Sequence, residues 1–370
     1  MSEFQFYEFQ AIDRPLSAAD KQHVQSLSSR VKLSGTNTQF VYHYGDFRGD
    51  PEKLLDRCFD LMIYVANFGI RRLMIRFPKN LVNRSLFEPY CVKHCIQVKA
   101  TSKSILLNIQ IHQEDYCGWL EETSYAADLL ALREDLIQGD LRVLYLAWLA
   151  AAFGEDIPED PENLIEPPVP ANLKKLSPAL QAFAELFEID ADLIDAAAQA
   201  SKAVTTPTEP IAQWVAALPE ADRNAYLVRV AQGEPVGGEL LQDLRQRFGK
   251  STPVSEASPG RSLAELIEMA TSTRKTREAK AQKASATVRL KYLKEIAPQA
   301  DKIWQQAMQL IELKQSKPYD EAVAHLVDLR DVAAMQGKLD AFLKRIQDLQ
   351  AQYPGRSGLL NRLRAAELLR

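Results

Sequence analysis

The sequence predicts an α+β protein: an N-terminal ferredoxin-like sheet domain, then mostly helical middle and C-terminal regions. Three observations predict it. Strand-like and helix-like segments alternate over the first third in the order β-α-β-β-α-β, the split-βαβ pattern. From about Glu121 the hydrophobic period becomes helical. Beyond residue 262 only Pro298, Pro318, Gly337 and Pro354 interrupt an otherwise helical pattern.

The first strand is FQFYEFQAI, residues 4–12, rich in aromatics and closed by Pro15. Ser17, three residues before Asp20, starts a helix to about Arg30 in the manner of a capping box. VKLS (31–34) and QFVYHY (39–44) follow as strands around the turn composition GTNT. Asp50-Pro51 is a helix entry, Asp as N-cap and Pro at the first helical position. The helix is expected to run through Leu54, Leu55, Phe59, Met62 and Ile63 to Phe68, with Gly69 as its C-cap. RRLMIRF (71–77) alternates as the fourth strand. Segments 95–100 and 104–111 read as a hairpin around ATSKS. SYAADLLALREDLIQ and DLRVLYLAWLAAAF read as helices joined near Gly139.

Residues 154–172 carry six acids and five prolines, which neither helix interiors nor central strands accept, so an extended surface connection is expected. Short helices fill 173–248, entered at Ser177-Pro178 and Asp190 and broken by TTPTEP. GKSTPVSEASPGRS (249–262) reads as a flexible linker outside every packed core. The domains expected are therefore 1–153, 173–248 and a helical arm over 262–370. The arm's helices are expected at 262–296, 299–315, 318–335, 338–352 and 356–368. The pair around YDEAVAHLVDLRDVAAMQGKLDAFLKRIQDLQAQY resembles one unit of a helical repeat, but no second copy occurs at a fixed period.

Composition bounds the function. The 370 residues are 46% hydrophobic and 25% charged, with a formal net charge of −4, so any nucleic-acid role must be local. MSEFQFYEFQAIDRP lacks the basic and apolar regions of a signal peptide. The longest apolar run, VLYLAWLAAAF (143–153), falls short of the ~20 residues of a membrane helix and is expected in a core. Cys58, Cys91, Cys95 and Cys117 read as reduced thiols, and the expected location is cytoplasmic, with no membrane partner.

Four groups of residues are candidates for chemistry. Cys91, His94, His112 and Cys117 could supply four zinc ligands, but their spacing matches no standard zinc module, so no metal is expected. No GxSxG, HExxH, GxxxxGK[ST] or GxGxxG occurs, Cys58 lies in an apolar helix, and Asp135 and Asp140 read as an ordinary acidic pair. No catalytic residue and no cofactor are assigned, and the balance leans against an enzyme. The third group is the sheet: Tyr7, Phe9, Tyr42 and Tyr44 with Arg72 and Arg76 would suit stacked bases if one face were open. The later helices, 121–153, are the alternative occupant of that face. The fourth is RKTREAKAQKASATVRLKYLK, 274–294, with eight bases and one acid. Arg274, Lys275, Arg277, Lys280 and Lys283 would contact phosphates or an acidic protein, or form the wet side of a helix. Residues 274–287 read as exposed and 288–297 as docked.

The stretches MSEFQFYEFQAIDRPL, GDFRGDPEKLLDRCFDLMIYVANFGIRRLMIRFP and LREDLIQGDLRVLYLAWLA resemble a family of uncharacterised bacterial proteins over roughly the first 200 residues. The resemblance implies no activity, cofactor or catalytic residue. FLKRIQDLQAQYPGRSGLLNRL is similar to helical tails of bacterial SWIM zinc-finger proteins, whose cysteine–histidine pattern this chain lacks. The function expected is a non-catalytic scaffold or adaptor that binds another macromolecule through its helical regions, with another protein as the expected partner and nucleic acid as the alternative. The alternatives are a nucleic-acid accessory protein using 274–294 and the sheet face, and an enzyme of unrecognised type.

Overall fold

The computed structural model describes residues 4–43, 45–113, 124–152, 164–204, 210–233, 236–249 and 260–369. The chain forms two compact units, Met1–Arg274 and Lys275–Arg370. The division falls inside one long helix.

The first unit is built on a seven-stranded antiparallel sheet. Its elements run β1 (Gln5–Gln10), α1 (Ala18–Leu27), β2 (Lys32–Leu33), β3 (Asn37–Tyr42), α2 (Pro51–Cys58), β4 (Leu61–Ala66), β5 (Ile70–Pro78), β6 (Ile96–Ala100) and β7 (Ser104–His112). The strand order is β2-β3-β1-β4-β5-β7-β6. Helix α1 links β1 to β2 with β3 between them, and α2 links β3 to β4 with β1 between them. That is the split-βαβ arrangement, extended by three further strands. The helix starts follow the sequence: Ser17 accepts from the Asp20 N–H, and Asp50 accepts from the Glu52 and Lys53 N–H groups.

The fourth strand is not where the sequence suggested. The helix from Pro51 ends at Cys58, and LMIYVA forms β4 instead of two more helical turns. β4 is buried along its whole length because helices cover both faces of the sheet. A strand buried on both faces is apolar throughout and reads the same as a buried helix segment. Gly69 then closes the β4–β5 turn at φ +96°, where a Cβ would lie 2.5 Å from the Gln113 carbonyl oxygen.

On one face α1 and α2 pack through Val24, Leu54 and Leu55 onto Tyr7, Phe9, Phe40, Met62, Tyr64 and Met74. The other face carries Ile63, Val65, Leu73, Ile75, Phe77, Leu107 and Ile109. It lies under α3 (Ala126–Leu129), α4 (Ala131–Ile137), α5 (Arg142–Ala151), α6 (Pro178–Leu186) and α7 (Ala191–Ala198). The apolar run at 143–151 is α5, buried on every side. No helix among the described residues is long and apolar enough to cross a membrane.

Two connections behave differently from expectation. Residues 164–166 are extended, with Ile165 exposed and bridged to Ser262, but Glu166 is buried. Arg261, read as part of a free linker, is ion-paired to Glu166 within the unit. Acids and prolines marked the first segment as a surface connection and Ser, Pro and Gly marked the second as a linker, and neither composition shows a partner that lies 95 positions away. Residues 153–163 and 250–259 lie outside the described residues. Between these connections come α8 (Ile211–Ala217), α9 (Glu220–Ala231) and α10 (Gly237–Phe248).

Helix α11 (Leu263–Ile296) begins in the first unit, where Leu263, Leu266 and Ala270 are buried. The second unit holds its C-terminal part with α12 (Ala300–Glu312), α13 (Ser316–Met335), α14 (Leu339–Gln352) and α15 (Ser357–Ala365). Ala307, Ile311, Leu326, Phe342, Ile346, Leu359 and Leu363 form its core. Helix α13 starts at Ser316, two residues before the expected start at Pro318, which leaves the proline in the first turn, where a missing N–H removes no helical bond.

Candidate functional site

The sheet residues that suggested a base-stacking platform sit on a covered face. Tyr7 and Phe9 point toward α1 and α2, Tyr7 stacked on Phe47 at 5.1 Å and Phe9 beside Phe59 at 5.3 Å. Tyr42 is half-buried beside the same cluster, 6.2 Å from Tyr7. Tyr44 lies outside the described residues. Arg72 donates to Asn108 Oδ1 at 2.6 Å and pairs with Glu52 of α2 at 3.2 Å. Arg76 pairs with Asp60 and with Asp13, the latter at 3.2 Å, and donates to the Phe59 carbonyl at 2.8 Å. Alternating aromatics and arginines look the same in sequence whether they meet bases or helices, and here they meet helices.

Three buried polar networks absorb much of this unit's interior charge. In the first, Asp60 accepts the N–H groups of Ile12 at 2.6 Å and Asp13 at 2.9 Å and pairs with Arg76. Arg133 of α4 reaches Asp13 at 2.8 Å. Burial works against the Asp60 charge, but Arg76 and the two N–H donors outweigh it and hold its carboxyl below the usual range. Asp13 is held above it, by burial and then by the neighbouring Asp60 charge. In the second, Glu8 of β1 is fully buried and accepts the Tyr125 and Ala126 N–H groups at 2.9 and 3.0 Å. It thus receives the donors at the start of α3. In the third, Arg261 forms a fork on Glu166, at 2.8 Å through Nε and 2.6 Å through its terminal nitrogen. The same guanidinium donates to the Ala196 and Ala197 carbonyls, and Tyr145 donates to Glu166. Sequence reasoning missed Glu8 and Glu166, since a lone carboxylate in a strand or loop carries no local signal of its distant partners.

The cysteines do not assemble a reactive or metal site among the described residues. No group of three His, Cys, Asp or Glu side chains there could hold a metal. Cys91 is exposed and its thiol donates to the Phe87 carbonyl, while Cys95 is buried. Cys117 lies outside the described residues. Burial pushes the Cys58 thiol up to about 11, so it stays protonated at neutral pH and is a poor nucleophile.

The basic stretch lies on α11. Every residue from 274 to 288 is exposed. Ala279, Ala281, Ala284 and Ala286 stand there beside Arg277, Glu278, Lys280, Gln282 and Lys283, strong helix formers that keep a helix without a buried face. The arginines at its two ends are engaged within their own units. In the first unit, Arg274 pairs with Asp190 and with Asp192, the latter at 3.2 Å. In the second, Arg289 pairs with Asp328 and Asp331 of α13, each at 2.7 Å. Tyr292 donates to Asp328 at 2.9 Å, and Leu293 is buried. Arg277 is exposed. Lys275, Lys280, Lys283, Lys291 and Lys294 are exposed and form no ion pair among the described residues.

Charge is unevenly divided between the units. Residues 275–370 hold 18 Lys and Arg against 11 Asp and Glu, a formal +7. Residues 1–274 hold 27 against 38, a formal −11.

No family model, curated protein or solved structure matches this chain.

Proposed function

We propose that the protein is a non-catalytic adaptor that binds another macromolecule through its helical C-terminal region, with α11 as the contact. The observation that carries this reading is the exposed run 274–288: a helix with no buried face, rich in cations, most of them lysines without an ion pair. Such a surface contributes nothing to a core, and it presents charge to whatever approaches. The buried carboxylates and arginines of the first unit support the same reading, because their partners are fold-making backbone groups and one another. The setting that goes with this role is cytoplasmic, and kinship with the bacterial family that shares the N-terminal pattern is part of the proposal.

The test is affinity capture from a lysate of the native host. The bait is the intact chain or one with Lys275, Lys280, Lys283, Lys291 and Lys294 changed to Gln. A macromolecule retained in proportion by the first and lost by the second is the expected result. Identical captures from both would overturn the proposal.

A further inference from the structure

We propose that α11 carries a nucleic-acid contact: a one-sided stripe of Lys280, Lys283, Lys291 and Lys294 that takes the phosphate backbone. The inference rests on the adaptor reading for the surface and adds the class of partner.

Read as a sequence, the eight bases of 274–294 scatter around the helix. The ion pairs resolve the scatter. At about 100° per residue, Lys280, Lys283, Lys291 and Lys294 fall within about 80° of one another. Arg274 and Arg289 lie on roughly the opposite side, and these two are the arginines held by Asp190, Asp192, Asp328 and Asp331. Once they are set aside, four of the six remaining bases share one face, while Lys275 projects away from it and Arg277 flanks it. Leu293, the buried side chain of this segment, also projects away from the stripe. The four lysines form two pairs with the same spacing, repeated after 11 residues, or about 16 Å, and the whole stripe is about 21 Å long.

The rest of the second unit leaves these charges available. Its described ion pairs use Arg289, Arg330, Arg345, Arg356 and Arg362 as cations. Those pairs engage Asp301, Glu312, Asp320, Asp328 and Asp331, and no lysine takes part in them.

The chemistry of the stripe selects between two polyanionic partners. Protein interfaces are anchored by aromatic and arginine side chains in desolvated pockets, and lysine is depleted there. Beside this stripe the large apolar side chain is Leu290, and Ala284 is typical of the remainder. A strongly hydrated ammonium on a flexible stem suits a partner whose charges are regular and close, and needs no fixed fork geometry. A duplex presents one charge per about 1.7 Å along its axis, so a 21 Å stripe faces an excess of phosphates in many registers. Binding is then largely indifferent to base sequence, because the stripe holds no Asn or Gln to read base edges and its lysines act on phosphates as point charges.

The experiment titrates the full chain with a labelled 20-base-pair duplex and a labelled 20-nucleotide single strand at 50 and 200 mM salt. Four phosphate contacts give a log–log salt slope of about −3.6 on the duplex, a loss of roughly a hundredfold in affinity across that range. Changing the four lysines to Gln should remove that slope and lower affinity at 50 mM by at least about a hundredfold. Arg274→Gln should leave the slope unchanged, and changing the four lysines to Arg should keep it. Matching circular dichroism spectra establish that all variants are folded. Absence of binding at 50 mM, or an unchanged slope in the Gln variant, overturns the inference. If the chain ignores DNA and RNA yet loses a nuclease-resistant protein partner on the same change, this inference falls and the adaptor reading stands. If neither partner responds, both fall.

Discussion

The two units use charge in opposite ways. In the first, arginines are inside: Arg76, Arg133 and Arg261 lie against Asp60, Asp13 and Glu166, with side chains at most one-fifth exposed. In the second, the described ion pairs are again made by arginines, but a set of lysines on α11 is left exposed without ion pairs. The lesson is that a count of charged residues does not separate structural charge from available charge. Residue type and partner do. Arginine, with its planar fork, is the cation suited to a buried carboxylate, whereas lysine stays hydrated.

The sharpest way to break this comparison is to remove a buried partner. Glu166→Ala leaves Arg261 beside Tyr145 and two carbonyl groups without its carboxylate. Breaking such a pair from one side costs about 3–5 kcal/mol. Denaturant unfolding should show that loss, while hydrogen exchange in α12–α15 should be unchanged. A loss below about 1 kcal/mol would mean that the charge inside the first unit is incidental.

Asp60 gives the next largest effect, and it depends on pH. Its folded carboxyl is held below the usual range, so its stabilisation is fully present above the unfolded value of about 3.9 and is lost as pH falls through the lower folded value. Asp13 works with the opposite sign. Its folded value is raised, so it favours the folded state below about 3.9 and that contribution disappears as pH rises through the raised value. Asp60→Asn should therefore cost about 2–3 kcal/mol at pH 7 and progressively less below pH 4, in urea melts at both values. An equal cost at both pH values would show that the loss is steric and not electrostatic.

These networks also mark where the sequence could be read and where it could not. The split-βαβ order was legible, because Ser17 and Asp50-Pro51 declare their helices through local hydrogen bonds and the strands alternate. β4 was not, because LMIYVA is buried on both faces and has no polar phase to reveal its period. The aromatic–arginine residues were legible as one face, but the cover weighed for it was 121–153, whereas α1 and α2 cover it and Glu52 of α2 binds Arg72. The lysine stripe was obscured by Arg274 and Arg289, and only their aspartate partners identify them as belonging elsewhere.

A smaller effect is expected at the β4–β5 turn, which sharpens the account of the covered sheet. Gly69 has φ +96°, and a Cβ there would meet the Gln113 carbonyl oxygen at 2.5 Å. Gly69→Ala should cost about 1–3 kcal/mol, through backbone strain and displacement of the end of β7. A thermal melt that matches the parent would mean that the turn rearranges without penalty.

The smallest expected effect is the most discriminating. Replacing Lys280, Lys283, Lys291 and Lys294 with Gln removes four charges from a helix surface where they have no described ion-pair partners. Gln keeps nearly the helix propensity of Lys, so propensity changes little. Each of the pairs 280/283 and 291/294 places like charges three residues apart, where repulsion is destabilising by about 0.2–0.5 kcal/mol per pair. The variant should therefore match the parent within about 0.5 kcal/mol or be slightly more stable, by denaturant unfolding at low salt. The difference should shrink as salt screens the repulsion. A loss greater than about 1 kcal/mol would make these lysines structural, like Arg76 and Arg261, and would erase the contrast between the units. A small gain would mean that the like charges slightly oppose folding, and no change would mean that they are neutral to it.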